Sequence, residues 1–281
     1  MSRRGRHVAA ALTVAGALAV TVGSGFLRLL PSAEPPRFGE LQTDALQSPV
    51  RVSRDPYGVP HVRADTLQEA YVGLGFAHAQ DRLWQMELLR RTASGRLSEL
   101  FGRTTLEQDR LARVLGFARA AREEAKALSS TTRDVLSAYV AGINLYIEQI
   151  RSGEARAPLE LRWLVLEPEP WTPADSLALL RLRAWLLNRS LHASLLLERL
   201  VREIGGVAAQ DFFPVRPLDT APELIGSLLR LGDTIETTAR AIGLQAHAGS
   251  LGFVVGPGRA LREGALLAND PHVSFRLPAL F

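Results

Sequence analysis

Apolar positions along this chain follow three patterns in turn. An unbroken small and apolar run from Val8 to Val22 comes directly after Arg3, Arg4 and Arg6, the charged head and short apolar body of a secretory signal. The run is shorter than the roughly 20 residues that span a bilayer, but Phe26, Leu27, Leu29 and Leu30 extend it. Residues 1–30 are therefore expected to be a cleaved signal peptide or an uncleaved membrane anchor. Pro31 to Pro36 reads as a linker, residues 31–36, between this address and the fold.

A second pattern begins at Val50. Two short β-favouring runs between Val50 and Ala64 flank Asp55-Pro56-Tyr57-Gly58, a turn sequence that predicts a hairpin. Thr66-Leu67-Gln68-Glu69 then has the form of a capping box and opens a predicted helix through about Arg91. Helical periodicity continues near Leu106 to Leu128, Thr132 to Ile150 and Pro173 to Ile204, the last with Thr172 as cap and Pro173 at the first helical position. Proline-rich stretches at Glu167 to Pro173 and Phe213 to Pro222 predict loops. No internal repeat is present.

From Gly249 the pattern changes again. Ser250 to Gly256 is a short apolar run bounded by glycine, as in a strand buried on both faces. Gly264 to Ala268 is predicted to pair with it across the Pro257-Gly258 turn. A two-stranded hairpin is marginal alone, so the sheet opened here is expected to continue, and the chain to be part of something larger.

Composition narrows the chemistry. The 281 residues contain no cysteine, which excludes disulfide scaffolds, thiolate nucleophiles and Cys-ligated zinc or iron–sulfur sites. The net charge of +4 lies in the leader: setting aside Arg3, Arg4, Arg6 and Arg28 leaves as many basic as acidic residues. A neutral remainder gives no electrostatic reason to expect a nucleic-acid partner.

A serine hydroxyl needs a base to become a nucleophile. Cleavage before Ser250 would supply one, because a freed α-amine has a pKa of about 7.7 to 8.0 and is partly unprotonated near neutrality. Gly249, without a Cβ, tolerates the backbone geometry that favours an N-to-O acyl shift. Ala248-Gly249-Ser250-Leu251-Gly252 is close to the G-x-S-x-G elbow, but has Ala248 where glycine is needed and a strand after the serine rather than before it. His61 and His78 read as structural hydrogen-bonding residues. His78, Asp81 and Gln85 recur on one helical face and predict a buried polar network holding that helix to the sheet.

Four segments carry a family resemblance: Arg54-Asp-Pro-Tyr-Gly-Val-Pro-His-Val-Arg-Ala64; Gly75 to Leu88 with Gly95-Arg-Leu-Ser-Glu-Leu100; Glu169-Pro-Trp-Thr-Pro-Ala-Asp175; and Gly249-Ser250 with Leu267-Ala-Asn-Asp-Pro-His272. Together they resemble the penicillin acylase family of N-terminal nucleophile hydrolases. The resemblance implies an α+β fold, the αββα sandwich, of which this chain holds the mainly helical α chain and the first hairpin of the β chain. Residues 37–249 are then the α-chain region with its C-terminal spacer, and 250–281 the start of the β chain. It implies a secreted precursor, periplasmic or extracellular, that cuts itself between Gly249 and Ser250 into an α/β heterodimer and hydrolyses a small-molecule amide. The membrane enters only through a possible N-terminal anchor.

On this mapping Ser250 is the nucleophile and His272 a support residue at the nucleophile's amine. No cofactor is required. Calcium is the one candidate metal, and alignment puts Ser194 where the family's calcium-binding glutamate is expected and Leu191 where an aromatic residue is common; serine is a weaker calcium ligand than a carboxylate. Glu198 lies one turn further on. Leu251 and Gly252 stand where a polar pair usually follows the nucleophile, with Phe253 at an aromatic position. Oxyanion-hole residues have no counterpart in these 281 residues. The enzymatic reading is thus an acylase acting on a penicillin or cephalosporin side chain or an acyl-homoserine lactone. The competing readings are a non-catalytic fragment that binds a partner β chain and a membrane-anchored helical interaction protein.

Overall fold

The computed structural model describes residues 38–41, 46, 48–187, 190–206, 208–209, 237, 249–261 and 264–272. The expected leader, the 31–36 linker and the Phe213 to Pro222 loop lie outside them. The fold is α+β and mostly helical.

An antiparallel three-stranded sheet runs in the order β1 (Phe38–Leu41), β2 (Val50–Arg54), β3 (Pro60–Arg63). β2 and β3 are the predicted hairpin, with Val52 opposite Val62. Its turn is fixed by the Asp55 carboxylate, which accepts from the amides of Tyr57 and Val59 at 2.8 and 3.0 Å, and by Gly58 at φ 82°. β1 was not among the predicted strands; Phe38-Gly-Glu-Leu41 has too few alternating positions to announce it. It is held by pairing Leu41 with Val50.

The long helix α1 (Leu67–Ser94) starts at the capping box: the Glu69 amide donates to Thr66 Oγ1 at 3.2 Å, and the Thr66 amide donates to Glu69 Oε2 at 3.1 Å. It ends at Gly95, in the left-handed region at φ 67°. A short helix α2 (Ser98–Phe101) and a 3-10 turn lead to α3 (Leu106–Leu115) and α4 (Phe117–Ala127). The single helix predicted over Leu106 to Leu128 is therefore two. Gly116 separates them at φ 73°, its amide closing α3 on the Ala112 carbonyl at 2.9 Å. α5 (Ser130–Ser152), α6 (Leu159–Trp163), α7 (Pro173–Leu187) and α8 (Ser190–Ile204) follow. The stretch predicted as one helix from Pro173 to Ile204 is likewise two, with residues 188 and 189 outside the described set. Thr172 caps α7 as expected, accepting from the Asp175 amide at 3.3 Å.

One core joins the sheet to α1 and α5 through Val50, Val52, Phe76, Leu83, Ile143 and Ile147. A second joins Ala93 of α1, Phe117 and Ala121 of α4, and Leu177, Ala178 and Leu182 of α7. α1 and α5 touch backbone to backbone. A Cβ on Gly75 would lie 2.0 Å from the Tyr139 carbonyl oxygen, and one on Gly142 would lie 1.9 Å from that of Val72. Backbone cannot yield as a flexible side chain does, so Gly142→Ala must push two core helices apart. It is expected to destabilise the protein by about 1–3 kcal/mol or more, read as a fall in the denaturation midpoint; an unchanged midpoint would contradict this crossing.

β4 (Gly249–Val255) and β5 (Leu266–His272) form a separate antiparallel pair. The predicted burial on both faces is not found: Phe253 is 55% exposed and its neighbour Val254 67%. Side chains on successive strand positions point to opposite faces, so neither face of β4 is covered by the described residues.

Candidate active site

The β4–β5 register shows where the backbone carries the expected site residues. Gly249 lies opposite His272 and Ser250 opposite Pro271. Directly opposed residues in an antiparallel pair have Cα atoms about 4.5 to 5.5 Å apart. His272 is therefore placed across from Gly249. Strand β5 runs four residues beyond the predicted end at Ala268. Proline is admissible on an edge strand, and this extension brings His272 level with Gly249.

Asn269 was not singled out by residue type. It lies opposite Gly252, and a Cβ there would be 2.8 Å from Asn269 Oδ1. The amide side chain occupies the space that glycine leaves, two positions from Ser250, where the resemblance expected a polar neighbour. The available signal was the spacing of Gly252 from the turn.

The remaining motifs meet one another in the helical part. Arg54 of β2, nearly buried, donates to both Asp81 carboxylate oxygens at 3.0 and 2.7 Å, to the Gly58 carbonyl at 3.0 Å and to Gln80 Oε1 at 2.8 Å. The first motif is thereby latched onto the second. The expected network of His78, Asp81 and Gln85 is only partly realised. Asp81 does tie α1 to the sheet, but His78 Nδ1 pairs with the Tyr139 hydroxyl of α5 at 2.9 Å, and both His78 and Asp81 are solvent-accessible rather than buried. Partial removal from water lowers the His78 pKa despite the opposing charge of Asp81, which favours the neutral ring. His61 Nε2 lies 3.5 Å from Asp55 Oδ2 beside the hairpin turn, a structural position as expected.

Further along α1, Glu87, Arg90 and Arg91 are buried together. Glu87 pairs with both arginines, at 2.6 Å to Arg91 Nε. Arg90 donates to the Pro170 carbonyl at 3.1 Å and lies 5.0 Å over the Trp171 ring, a cation–π arrangement. Arg91 also pairs with Glu99. Arg96 makes a bidentate pair with Glu169, at 2.7 and 3.0 Å. These hydrogen bonds, those from Arg96 first, hold the Glu169 carboxyl down to about 2. A depressed carboxyl pKa stabilises the fold above its ordinary value of 4.5 and loses that contribution as pH falls toward about 2. The stability deficit of Glu169→Gln should therefore be full at pH 6, shrink below 4.5 and vanish near pH 2, measured by urea unfolding across that range. Glu169 is nearly half exposed, so solvent screening keeps the deficit small.

For a metal, Ser194 and Glu198 both lie on α8, one turn apart. Ser194 is half-buried. Glu198 is buried, and its Oε1 accepts no hydrogen bond from the described residues. An orphaned carboxylate oxygen fits a hard, oxygen-seeking cation such as calcium better than the Ser194 hydroxyl does. Among the described residues no group of three or more His, Cys, Asp or Glu gathers at a metal-binding spacing, so Glu198 would be one ligand of a set completed elsewhere. No described helix is long and apolar enough to cross a membrane.

A mainly helical α+β chain that leads into an antiparallel hairpin opening on Gly249-Ser250 is the layout the sequence resemblance predicted. The chain belongs to the penicillin amidase family, whose model matches residues 49–281. It is 37% identical over 265 residues to the penicillin acylase 2 proenzyme of Pseudomonas sp. (strain SE83), covering 90% of this chain and 34% of that protein. It is 29% identical over 261 residues to the acyl-homoserine lactone acylase QuiP of Pseudomonas aeruginosa, covering 88% of this chain and 30% of that protein. The chain thus spans about a third of the length of these relatives. A solved thermostable penicillin G acylase from Alcaligenes faecalis is 30% identical, with a TM-score of 0.49 over 61% of this chain and 94% of that one.

Proposed function

We propose that this chain is the α-chain region and leading β-chain hairpin of an exported acylase precursor of the αββα type. The observation that carries the reading is the β4–β5 register, which sets His272 opposite Gly249 and beside Ser250 in a member of this family. In the first step Ser250 Oγ attacks the Gly249 carbonyl carbon. An ester forms as the Gly249–Ser250 peptide bond breaks, and the nitrogen leaves as the Ser250 α-amine. Water then hydrolyses the ester, separating the α chain, which ends in the Gly249 carboxylate, from a β chain that begins at Ser250. His272 lies level with the new amine and supports it.

In the second role the α-amine takes the Ser250 hydroxyl proton, directly or through one water, as Oγ attacks a substrate amide. The amine leaves with a proton, and water releases the acyl group as a carboxylic acid. The oxyanion donors, each worth roughly 3 to 4 kcal/mol in serine hydrolases, would come from β-chain residues outside these 281. Glu198, rather than Ser194, is the α-chain residue that would hold calcium, whose chemistry here is structural neutralisation of a buried charge. Penicillin and cephalosporin side chains and acyl-homoserine lactones are the proposed substrates, and the periplasm or extracellular space the proposed location. The direct test is to express the full-length protein, find by mass spectrometry a chain beginning at Ser250, and detect carboxylic acid released from a phenylacetyl amide and from an acyl-homoserine lactone. Activity from an uncut precursor would refute the mechanism.

A further inference from the structure

The solvent face of α3 and α4 gathers cations around apolar side chains. Residues three, four and seven or eight apart lie on one side of a helix, so Leu106, Arg110, Arg113 and Val114 form one exposed stripe of α3. Asp109, Leu111 and Ala112 on its other side are buried. Arg103, in the 3-10 turn before α3, and Phe101, at the end of α2, directly precede the stripe and are also exposed. Phe101 is 42% exposed, Leu106 39% and Val114 79%. At the α3–α4 junction Gly116 brings in a further cation: a Cβ there would lie 2.9 Å from a guanidinium nitrogen of Arg119. That side chain therefore folds back from α4 over the junction, at the Val114 end of the stripe.

The acids of this region are already taken. Glu107 pairs with Arg110 at 2.6 Å, Glu123 with Lys126 at 2.8 Å and Glu124 with Arg181 at 2.7 Å. Asp109 accepts from the amides of Leu97 and Ser98 at 2.7 and 2.8 Å. Arg103, Arg113, Arg119 and Arg122 are left without an ion pair among the described residues, and Arg113 Nε donates to a neutral acceptor, the Gly95 carbonyl, at 3.0 Å. Basic and acidic residues balance outside the leader, so four uncompensated cations on one face are a local surplus.

We propose that this face docks on an anionic lipid surface, Phe101, Leu106 and Val114 entering the headgroup layer while Arg103, Arg113, Arg119 and Arg122 meet lipid phosphates. Apolar side chains flanked by arginines on an exposed helix are the pattern of an element that lies in a membrane interface without crossing it. A nucleic-acid duplex offers phosphates but no layer for Val114, and a zwitterionic bilayer offers the layer without net charge. An anionic bilayer answers both. The contact is separate from any N-terminal anchor and does not rest on the chemistry of Ser250.

The test uses the full-length protein. Sedimentation with vesicles of phosphatidylglycerol and phosphatidylcholine is compared with sedimentation on phosphatidylcholine alone. Val114→Cys carrying an environment-sensitive fluorophore reports contact at this face, since residues 1–281 hold no other cysteine. Binding to the anionic vesicles is expected to be at least about tenfold tighter, to weaken as added salt shortens the screening length from about 10 Å at 0.1 M, and to brighten the label. A cation at an anionic surface is worth about fivefold, so Arg103→Gln and Arg119→Gln should each weaken binding about fivefold without moving the denaturation midpoint. Val114→Asp should weaken it at least as much. Equal binding to both vesicle types, or anionic binding that survives both arginine substitutions with the label at residue 114 unchanged, would assign the contact to an N-terminal anchor or another face. Duplex DNA bound as tightly as the vesicles and indifferent to Val114→Asp would make the surface a phosphate-backbone site, and no vesicle binding at low ionic strength would mean that the rest of the protein covers it. Each of these results overturns the proposal.

Discussion

Ser250→Ala in the full-length protein is expected to accumulate as one uncut chain with no amide hydrolysis, whereas the unmutated protein appears as two. The reason is atomic. The N-to-O shift needs an oxygen on the side chain of the residue that follows the scissile carbonyl, and alanine has none. The same substitution removes the nucleophile of the second reaction, so both losses are complete rather than graded. Ser250→Thr keeps a hydroxyl at the same position and should still cleave, more slowly because the β-branched side chain restricts the attacking rotamer. This pair of variants separates chemistry from folding. If Ser250→Ala and Ser250→Thr both accumulate uncut while their circular dichroism matches the unmutated protein, geometry rather than the hydroxyl is limiting. If Ser250→Ala is still cut after Gly249, a different group performs the cleavage and the assignment of Ser250 fails. His272→Ala is informative beside them. A residue level with Gly249 in the register should alter the rate of cleavage or the pH at which the amine becomes active, and leave the position of the cut unchanged.

The α-chain elements that were legible in the sequence are those whose signals are local. Thr66 and Glu69 sit at the right spacing and close the box that was read from them. Asp55, Pro56 and Gly58 announce the hairpin they build, because turn residues act through their own dihedrals and carboxylates. Where a local signal competes with tertiary context the reading slips. Gly116 is tolerable in a helix from sequence alone, but its left-handed dihedral ends α3 so that Phe117 and Ala121 can pack on α7. Asn269-Asp270-Pro271 carries turn residues, yet pairing with β4 keeps them extended. The apolar run at Ser250 to Gly256 was read as doubly buried from hydrophobicity alone. Periodicity reports what a strand needs, whereas burial depends on a partner, and the described residues supply only β5. The candidate site divides in the same way. Gly249 and Ser250 were singled out by resemblance and Asn269 emerges only from the register, whereas Glu198 was noted one turn from Ser194 and its burial adds the orphaned carboxylate oxygen.

Least legible of all is the buried charge of α1, and it carries the largest expected stability effect. Glu87, Arg90 and Arg91 are spaced i, i+3 and i+4, which in sequence is the pattern of a solvated helical face. In the fold they are only 1%, 4% and 2% exposed. The 164–172 loop, with Trp171 and the Pro170 carbonyl, closes over Arg90, and Glu169 of that loop engages Arg96. Glu87→Ala would remove the one carboxylate that both Arg90 and Arg91 contact directly within α1. Two guanidinium groups would then share a site closed to water, with Arg91 still reaching Glu99 and Asp175 3.8 Å from Arg90.

Breaking a buried ion pair by deleting one partner costs about 3–5 kcal/mol, because the remaining charge is uncompensated. That is a large part of the roughly 5–15 kcal/mol that holds a typical domain together. Glu87→Ala is therefore expected to yield little folded protein at 37 °C and, through loss of the fold, little processing at Gly249. Glu87→Gln should be intermediate: it keeps the shape and one acceptor oxygen but no charge. The decisive arm is Glu87→Met combined with Arg90→Met, which removes the mismatch and should recover part of the midpoint lost in Glu87→Ala, since replacing a buried pair by apolar groups of similar volume is often near neutral. A double variant worse than the sum of its single variants would mean that the Arg90 contacts to Trp171 and Pro170, rather than its pairing with Glu87, hold the 164–172 loop in place.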